Sequence, residues 1–187
     1  MLPDSDGHVG VYRQPPHKLR DHPMTPRITA APHEPRQLDR IDRLILKRLQ
    51  IDGRLSISEL AREVHLTTSP CLDRVRRLER EGYIQGYAAL LNPNQLGARL
   101  LAFVEVRIDR ANPEVFQQFR AMIESLDEVI ECHMVAGGFD YLVKIRLADM
   151  DAYRRFLGER LAKLPGIAQT RTYISMEELK CTLNFKF

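Results

Sequence analysis

Four arginines fall within seven residues of the chain, at Arg74, Arg76, Arg77 and Arg80. Guanidinium groups bind phosphate oxygens and guanine edges, so such a cluster on one helix is typical of DNA recognition. Positions separated by three or four residues share one face of a helix. One such face carries Ser69, Asp73, Arg76 and Arg80. The alternative is a solvated face on which the arginines pair with Asp73, Glu79 and Glu81.

The residues that open this helix support the DNA-binding interpretation. At Thr68-Ser69-Pro70 the free amides and hydroxyls of a helix N-terminus would point at phosphates or base edges. We therefore predict two groups of DNA contacts. Near base edges we place Thr68, Ser69, Asp73 and Arg74, with Pro70 at the same helix end, and nearer phosphates Arg76, Arg77 and Arg80.

A second candidate site is the glycine-rich segment Ala136-Gly137-Gly138-Phe139-Asp140-Tyr141. Glycines allow a ligand to approach the backbone closely, and the Asp140 carboxylate could hold an ammonium group. The alternative is a glycine-rich β-turn in which Asp140 bonds its own backbone, and the residues alone favour that alternative.

Catalytic constellations are absent from the sequence. It has no phosphate-binding GxxxxGK[ST], GxGxxG or GxSxG pattern, and neither His65 nor His133 has a sequence-local partner that would activate a nucleophile. Cys71, Cys132 and Cys181 lie more than forty residues apart, which suits neither a disulfide framework nor a zinc site. We predict a protein without enzymatic activity, metal or cofactor.

Three helices must position the arginines. Ile41, Leu44, Ile45 and Leu49 repeat with helical period up to Asp52-Gly53, and Ser56 and Glu59 have the spacing of a capping box that opens a second helix. Ser69 as N-cap, followed by Pro70, opens the third helix, which ends at Glu81-Gly82. These elements predict a helix-turn-helix, followed by an extended segment at residues 83–88 that could form a wing or hinge strand.

The second half of the chain alternates strands and helices in the order βαββαβ. Strands are predicted at 101–108, 129–135, 141–147 and 167–176, with helices from Pro113 and over 150–164, and an additional edge strand at 182–187. This order predicts a ferredoxin-like fold. Ala102, Val104 and Val106 form one apolar face of the first strand, and Leu101 and Phe103 lie on the other. In this fold the helices cover only one face of the sheet. Because the other face is also apolar, we expect it to pack on a partner subunit.

Composition limits the remaining possibilities. The 187 residues are 44% hydrophobic and 28% charged, with a net charge of +3. No run approaches the roughly 18 apolar residues of a membrane helix. The three cysteines suit reduced thiols and the N-terminus lacks the apolar core of a signal peptide, so we predict a cytoplasmic protein. Residues 1–36 hold seven of the eleven prolines and four of the six histidines, which predicts a disordered tail. The predicted divisions of the chain are therefore the tail (1–36), a helix-turn-helix domain with a possible wing (37–84), a hinge or linker (85–98) and a ferredoxin-like domain (99–187).

Three runs of sequence make a more specific resemblance: Leu38-Asp39-Arg40-Ile41-Asp42, Thr68-Ser69-Pro70-Cys71-Leu72-Asp73-Arg74-Val75-Arg76-Arg77-Leu78-Glu79, and Gly86-Tyr87-Ala88-Ala89-Leu90-Leu91-Asn92-Pro93. Together with Glu131-Cys132-His133, Phe139-Asp140-Tyr141 and Thr170-Arg171-Thr172-Tyr173, they resemble the Lrp/AsnC family over about residues 37–180. The resemblance implies a regulator that binds double-stranded DNA, dimerises through its sheet and assembles into octamers.

The resemblance also implies an amino-acid effector, leucine or another, bound between dimers near the glycine-rich turn. The effector residues that it implies are Met134, Gly137, Gly138, Phe139, Asp140, Met150, Tyr173, Ile174 and Ser175. Asp140 is thereby expected to bind the effector or to couple it to the rest of the protein. Two other functions stay open: a chromosome-architectural DNA-binding protein associated with the nucleoid, and an amino-acid-binding regulatory module of an enzyme.

Overall fold

The computed structural model describes residues 37–109 and 114–187, which divide into two compact units between Tyr87 and Ala88. The predicted disordered tail and the helix start at Pro113 lie outside the described residues. No described helix has the length and hydropathy needed to cross a membrane.

The first unit consists of three helices, α1 (Arg40–Ile51), α2 (Ile57–Glu63) and α3 (Thr68–Arg80). The predicted stripe of α2 is confirmed, because Leu60, Ala61 and Val64 are all buried. They pack with Ile45 of α1 and with three residues of α3, Cys71, Val75 and Leu78. Burial of these apolar side chains fixes α3 against the other two helices and leaves its opposite face exposed.

The N-terminus of α2 has the predicted cap, whereas the N-terminus of α3 and the segment at residues 83–88 differ from prediction. The capping box is present, since the Ser56 amide donates to the Glu59 carboxylate at 3.0 Å and the Glu59 amide donates to Ser56 Oγ at 3.2 Å. The Ser69 N-cap prediction is wrong: Thr67 is the N-cap, and Pro70 is the third helical residue. Pro70 still costs no hydrogen bond there, because amides of the first turn have no intrahelical acceptor. Residues 83–88 form no strand, since no other strand lies within the described part of this unit to pair with them.

The second unit contains a four-stranded sheet. Its elements are β1 (Leu100–Ile108), α4 (Glu114–Ile123), β2 (Val129–Met134), β3 (Tyr141–Leu147), α5 (Met150–Arg155) and β4 (Ile167–Ile174). The strands are antiparallel in the order β2-β3-β1-β4. The predicted βαββαβ order and ferredoxin-like fold are confirmed.

One face of this sheet carries the core. Ala102, Val104 and Val106 are fully buried, and α4 covers them with Phe119 and Ile123. The other face is mixed, with Leu101 and Phe103 near one end of β1 and Glu105 and Arg107 toward the other.

Two predicted elements differ in detail. The helix predicted over 150–164 changes its winding after α5, to a π-helical turn at Phe156–Arg160 and a 3₁₀ turn at Leu161–Lys163. The change buries Phe156 and Leu161, which strict α-helical spacing would place on diverging faces. The additional edge strand at 182–187 is absent, because those residues form no ladder with the sheet.

Candidate DNA-binding surface and effector site

The outward face of α3 is a polar surface with exposed side chains. It carries the predicted DNA contacts Thr68, Ser69, Pro70, Asp73, Arg76 and Arg80, all of them exposed. Neither Arg76 nor Arg80 forms an ion pair or a side-chain hydrogen bond within the described residues. Two guanidinium groups with no counter-ion in the described part of the chain leave this face positive.

Arg74 and Arg77 are placed differently from the other two arginines. Arg74 Nη1 lies 2.8 Å from Asp42 Oδ1 and 2.5 Å from Asp39 Oδ2, while Arg77 Nη2 lies 2.5 Å from Asp42 Oδ1. Asp42 is 1% exposed, so this ion cluster is anchored inside the unit. The cluster ties the middle of α3 to the N-terminus of α1.

The pairing with α1 was not predicted. The alternative to DNA binding paired the arginines with acids of their own helix, among them Glu79, but the Glu79 carboxylate accepts a hydrogen bond from the Tyr87 hydroxyl at 3.0 Å. Asp39 and Asp42 do carry a local signal, because their spacing of three residues is that of a capping box, which α1 has. That signal predicts a cap and contains no information about a helix 32 residues away.

The capping box of α1 and the contact with α3 lower the pKa of Asp39. Hydrogen bonds from the Asp42 amide and the Arg74 guanidinium hold the pKa of Asp39 below its usual 3.8. A lowered pKa means that the folded unit favours the carboxylate, so this contribution to stability is present above pH 3.8 and is lost as the pH falls through the lowered value.

In the second unit, Asp140 closes the hairpin between β2 and β3. Its carboxylate Oδ2 accepts a hydrogen bond from the Ile108 amide at 2.8 Å, and its own amide donates to the Val106 carbonyl at 3.0 Å. The β1–β4 ladder shifts register between Arg107 and Ile108. The Asp140 carboxylate therefore accepts from a backbone amide at a point where regular strand pairing is interrupted. The bond therefore crosses to another strand, whereas the turn alternative expected a local one.

A groove of about 630 Å³ lies beside this hairpin. Its lining includes Gly137, Gly138, Phe139 and Asp140, with Arg107 and Gln169 from the adjacent strands. The glycines leave the backbone open to an occupant, since an added Cβ at either position would meet nothing within 4 Å.

The predicted effector residues form two groups within one chain. Gly137–Asp140 lie where Val106 pairs with Tyr141, whereas Tyr173 pairs with Phe103, three residues and roughly 10 Å farther along β1. Ile174, Ser175 and Met150 lie beyond Tyr173, toward the start of β1. Met134 lines a different groove from the hairpin residues. One chain thus does not bring the whole set together.

No cluster of three or more His, Cys, Asp or Glu side chains suited to a metal ion occurs among residues 37–109 and 114–187.

Comparisons with known proteins match each of the two units to a known domain type. Residues 38–85 match the model of a winged helix-turn-helix DNA-binding domain, and residues 101–185 match that of the Lrp/AsnC ligand-binding domain. The leucine-responsive regulatory protein of Salmonella typhimurium is 59% identical over 145 residues, which are 78% of this chain and 88% of that protein. Its Escherichia coli K12 counterpart is 58% identical over the same shares.

Solved structures show the same architecture. A transcriptional regulator of Neisseria meningitidis in complex with L-methionine has a TM-score of 0.77 and 35% identity, covering 80% of this chain and 97% of that one. Escherichia coli AsnC has a TM-score of 0.72 and 25% identity, covering 78% and 97%. The shared fold, the two domain matches and the sequence identity together show that the chain belongs to the Lrp/AsnC family.

Proposed function

We propose that the protein is a sequence-specific transcriptional regulator whose DNA binding is modulated by an amino acid. The observation that carries the proposal is the exposed outward face of α3, with Arg76 and Arg80 unpaired within the described residues, in a chain that also has an Lrp/AsnC ligand-binding domain. The proposal places the protein in the bacterial cytoplasm, on the nucleoid, without enzymatic activity. The relatives named above are bacterial regulators, which supports this assignment.

In this proposal α3 enters the major groove. Thr68, Ser69, Pro70 and Asp73 lie at the end that approaches base edges, and Arg76 and Arg80 bind phosphates. Two helix-turn-helix units of a dimer would occupy grooves one helical turn, roughly 34 Å, apart. The sequence pattern predicts Arg74 and Arg77 as DNA contacts, but we assign them to holding α3 on α1, because both bind Asp42.

Arg76→Ala is expected to reduce the slope of log affinity against log salt by about one, because one phosphate contact releases about one counterion. Affinity should fall by a similar factor on specific and unrelated DNA. Titrations at several salt concentrations measure both quantities. Arg155→Ala, an exposed arginine of α5 in the other unit, matches the loss of charge and should leave the slope unchanged. An unchanged slope for Arg76→Ala would remove the phosphate contact.

The amino-acid site is proposed between chains. The hairpin residues Gly137–Asp140 are separated within one chain from the second group of predicted effector residues, which are Met150, Tyr173, Ile174 and Ser175. An effector that contacts both groups therefore requires a second copy of the chain. The methionine in the Neisseria relative supports an amino acid as the ligand class. The amino acid can shift the equilibrium between two assemblies of the protein only by the difference between its binding free energies for them. A ligand that binds both assemblies equally changes nothing.

Exposed apolar side chains support assembly into dimers and octamers. They lie before β1 and after β4, at Leu90, Leu91, Leu96, Met176, Leu179, Leu183 and Phe185. Leu90 is 82% exposed and Leu179 is 87% exposed, which is costly in water unless another chain covers them. We expect a solution mass by light scattering that is an even multiple of 21.6 kDa, and the mass of a single chain would contradict the assembly.

A mobility-shift titration at physiological salt tests the function as a whole. The probe is the DNA upstream of the protein's own gene, with unrelated DNA as competitor, with and without leucine and methionine. We expect promoter-selective binding that an amino acid alters. Equal affinity for both DNAs would favour the chromosome-architectural function, and amino-acid binding without any DNA affinity would favour a regulatory module of an enzyme.

A further inference from the structure

The solvent face of α1 carries a row of three basic side chains, Arg40, Arg43 and Lys47, which we call the α1 stripe. Their spacings of three and four residues place them on one helical face, and all three are exposed. At about 100° per residue from the buried Ile45, each lies within about 40° of the direction opposite to the core. The stripe is therefore the outermost line of α1.

The charges of the stripe have no acidic partner on their own helix. Asp42 is the only acid among the twelve residues of α1, and it is buried and binds arginines of α3. No stripe side chain forms an ion pair or a side-chain hydrogen bond within residues 37–109 and 114–187. The neighbouring Arg48, by contrast, pairs with Glu63 at 3.1 Å. Like charges one helical turn apart repel each other, and a bound polyanion would remove that repulsion.

The stripe lies on the far side of α1 from α3. α1 meets α3 through Ile45, which shares a core cluster with Val75, and through Asp42. The outward face of α3, with Arg76 and Arg80, points away from α1. Packed helices have axes about 8–10 Å apart and diameters of about 10–12 Å, so about 20 Å separates the two basic surfaces. A straight duplex seated on α3 therefore does not reach the stripe.

The composition of the stripe fits a phosphate backbone better than a protein surface. Protein interfaces have an apolar, aromatic-rich centre and are depleted of lysine, whereas the stripe consists only of arginine and lysine. From Arg40 to Lys47 the helix rises by about 10 Å. Duplex DNA carries one negative charge per about 1.7 Å of its axis, so several phosphates would face a row of that length. DNA is also the partner that the proposed function gives to this unit.

We propose that the α1 stripe binds the phosphate backbone of a second DNA segment, in addition to the segment at α3, and does so without reading its sequence. One DNA-binding unit then holds two duplexes, or two parts of one bent molecule, on opposite sides. The inference rests on the proposed function for the duplex at α3. It requires neither an amino-acid effector nor a second chain.

Capture of a second duplex tests the surface. The full chain is mixed with enough of the DNA upstream of its own gene to supply one half-site per chain, which occupies the α3 faces. A labelled unrelated duplex is then added at several salt concentrations. The stripe variant combines Arg40→Gln, Arg43→Gln and Lys47→Gln.

The stripe variant should bind the upstream DNA within about twofold of the parent and the second duplex at least about tenfold more weakly. For the second duplex, the slope of log affinity against log salt should fall by about three, one for each lost phosphate contact. The matched control combines Arg155→Gln, Arg160→Gln and Lys163→Gln, which removes the same charge from exposed positions of the other unit. The control should change neither affinity.

Two binding results would overturn the proposal. Loss of affinity for the upstream DNA and the second duplex by the same factor would show that one duplex contacts both surfaces. Capture of the second duplex equal to the parent's would assign the stripe to an acidic protein partner instead. Equal affinity of the parent for upstream and unrelated DNA would contradict the proposed function alone, because the stripe is judged by the difference between variant and parent on unrelated DNA.

Thermal unfolding of the stripe variant without DNA gives an independent check. Because the three charges repel one another and have no acidic partner within the described residues, their removal should leave the midpoint unchanged or raise it. A lowered midpoint would show that the stripe stabilises the fold, and would overturn its assignment as a binding surface.

Discussion

Replacing Asp42 by Asn is expected to lower the free energy of unfolding of the DNA-binding unit by about 2–4 kcal/mol and to weaken specific DNA binding at least about tenfold. Asp42 Oδ1 accepts from both Arg74 and Arg77, and its side chain also receives the Asp39 amide at 3.3 Å. Asn preserves the shape of the side chain and removes its charge. Two guanidinium groups, about a quarter exposed, then lose their common counter-ion beside a buried site.

The loss of DNA affinity follows from position rather than from contact. Asp42 lies on α1 and is buried, so it cannot reach DNA, and its effect would pass through the orientation of α3. Chemical denaturation followed by circular dichroism measures stability, and a mobility shift at a temperature where the variant stays folded measures affinity. Asp52→Asn, an exposed acid after the end of α1, is the matched control and should change neither. Normal affinity of folded Asp42→Asn would show that the ion cluster does not orient α3.

Gly166→Ala is expected to destabilise the second unit by about 3–5 kcal/mol, from two separate costs. Gly166 has φ +67°, a left-handed conformation that a residue with a Cβ adopts only under strain. In addition, the added Cβ would lie 2.0 Å from Cγ1 of Val115, inside any permitted contact. Since the Gly166 carbonyl accepts from the Asp109 amide at 2.7 Å, the loop cannot retreat without losing that bond. Either α4 or the start of β4 must move.

Two further variants separate the costs. Gly97 has φ +77° with nothing within 4 Å of its added Cβ, so Gly97→Ala should cost only the strain, about 1 kcal/mol. Val115→Ala combined with Gly166→Ala should recover part of the steric cost, which a double-mutant cycle measures as a coupling energy. Thermal unfolding provides the measurement. Equal losses for Gly166→Ala and Gly97→Ala would show that the close approach to Val115 is unimportant.

Local patterns in the sequence were sufficient for most elements. The burial of Leu60, Ala61 and Val64 follows from helical period, and the Ser56 cap follows from its spacing to Glu59, because both depend on residues at most four positions apart. The βαββαβ order predicted the ferredoxin-like sheet, since connection rules allow few arrangements of those elements. The prediction of a strand at 182–187 was wrong, because alternation shows only that a segment is suited to strand pairing. It does not show that a partner strand is present.

The roles of the arginines and of Asp140 depended on the tertiary structure. Sequence period placed four arginines on or beside one face of α3, but it could not show that Arg74 and Arg77 bind acids 32 to 35 residues earlier while Arg76 and Arg80 stay unpaired within the described residues. Likewise, a turn motif suggested a local bond for Asp140, whose carboxylate accepts a hydrogen bond from the amide of Ile108, 32 residues away. The sequence by itself determined most of the elements and the family, because periodicity, capping and motif runs depend on neighbouring residues. Only the tertiary structure decided which charges are neutralised, because partners distant in the chain become neighbours only when α1 packs on α3 and the hairpin closes on β1.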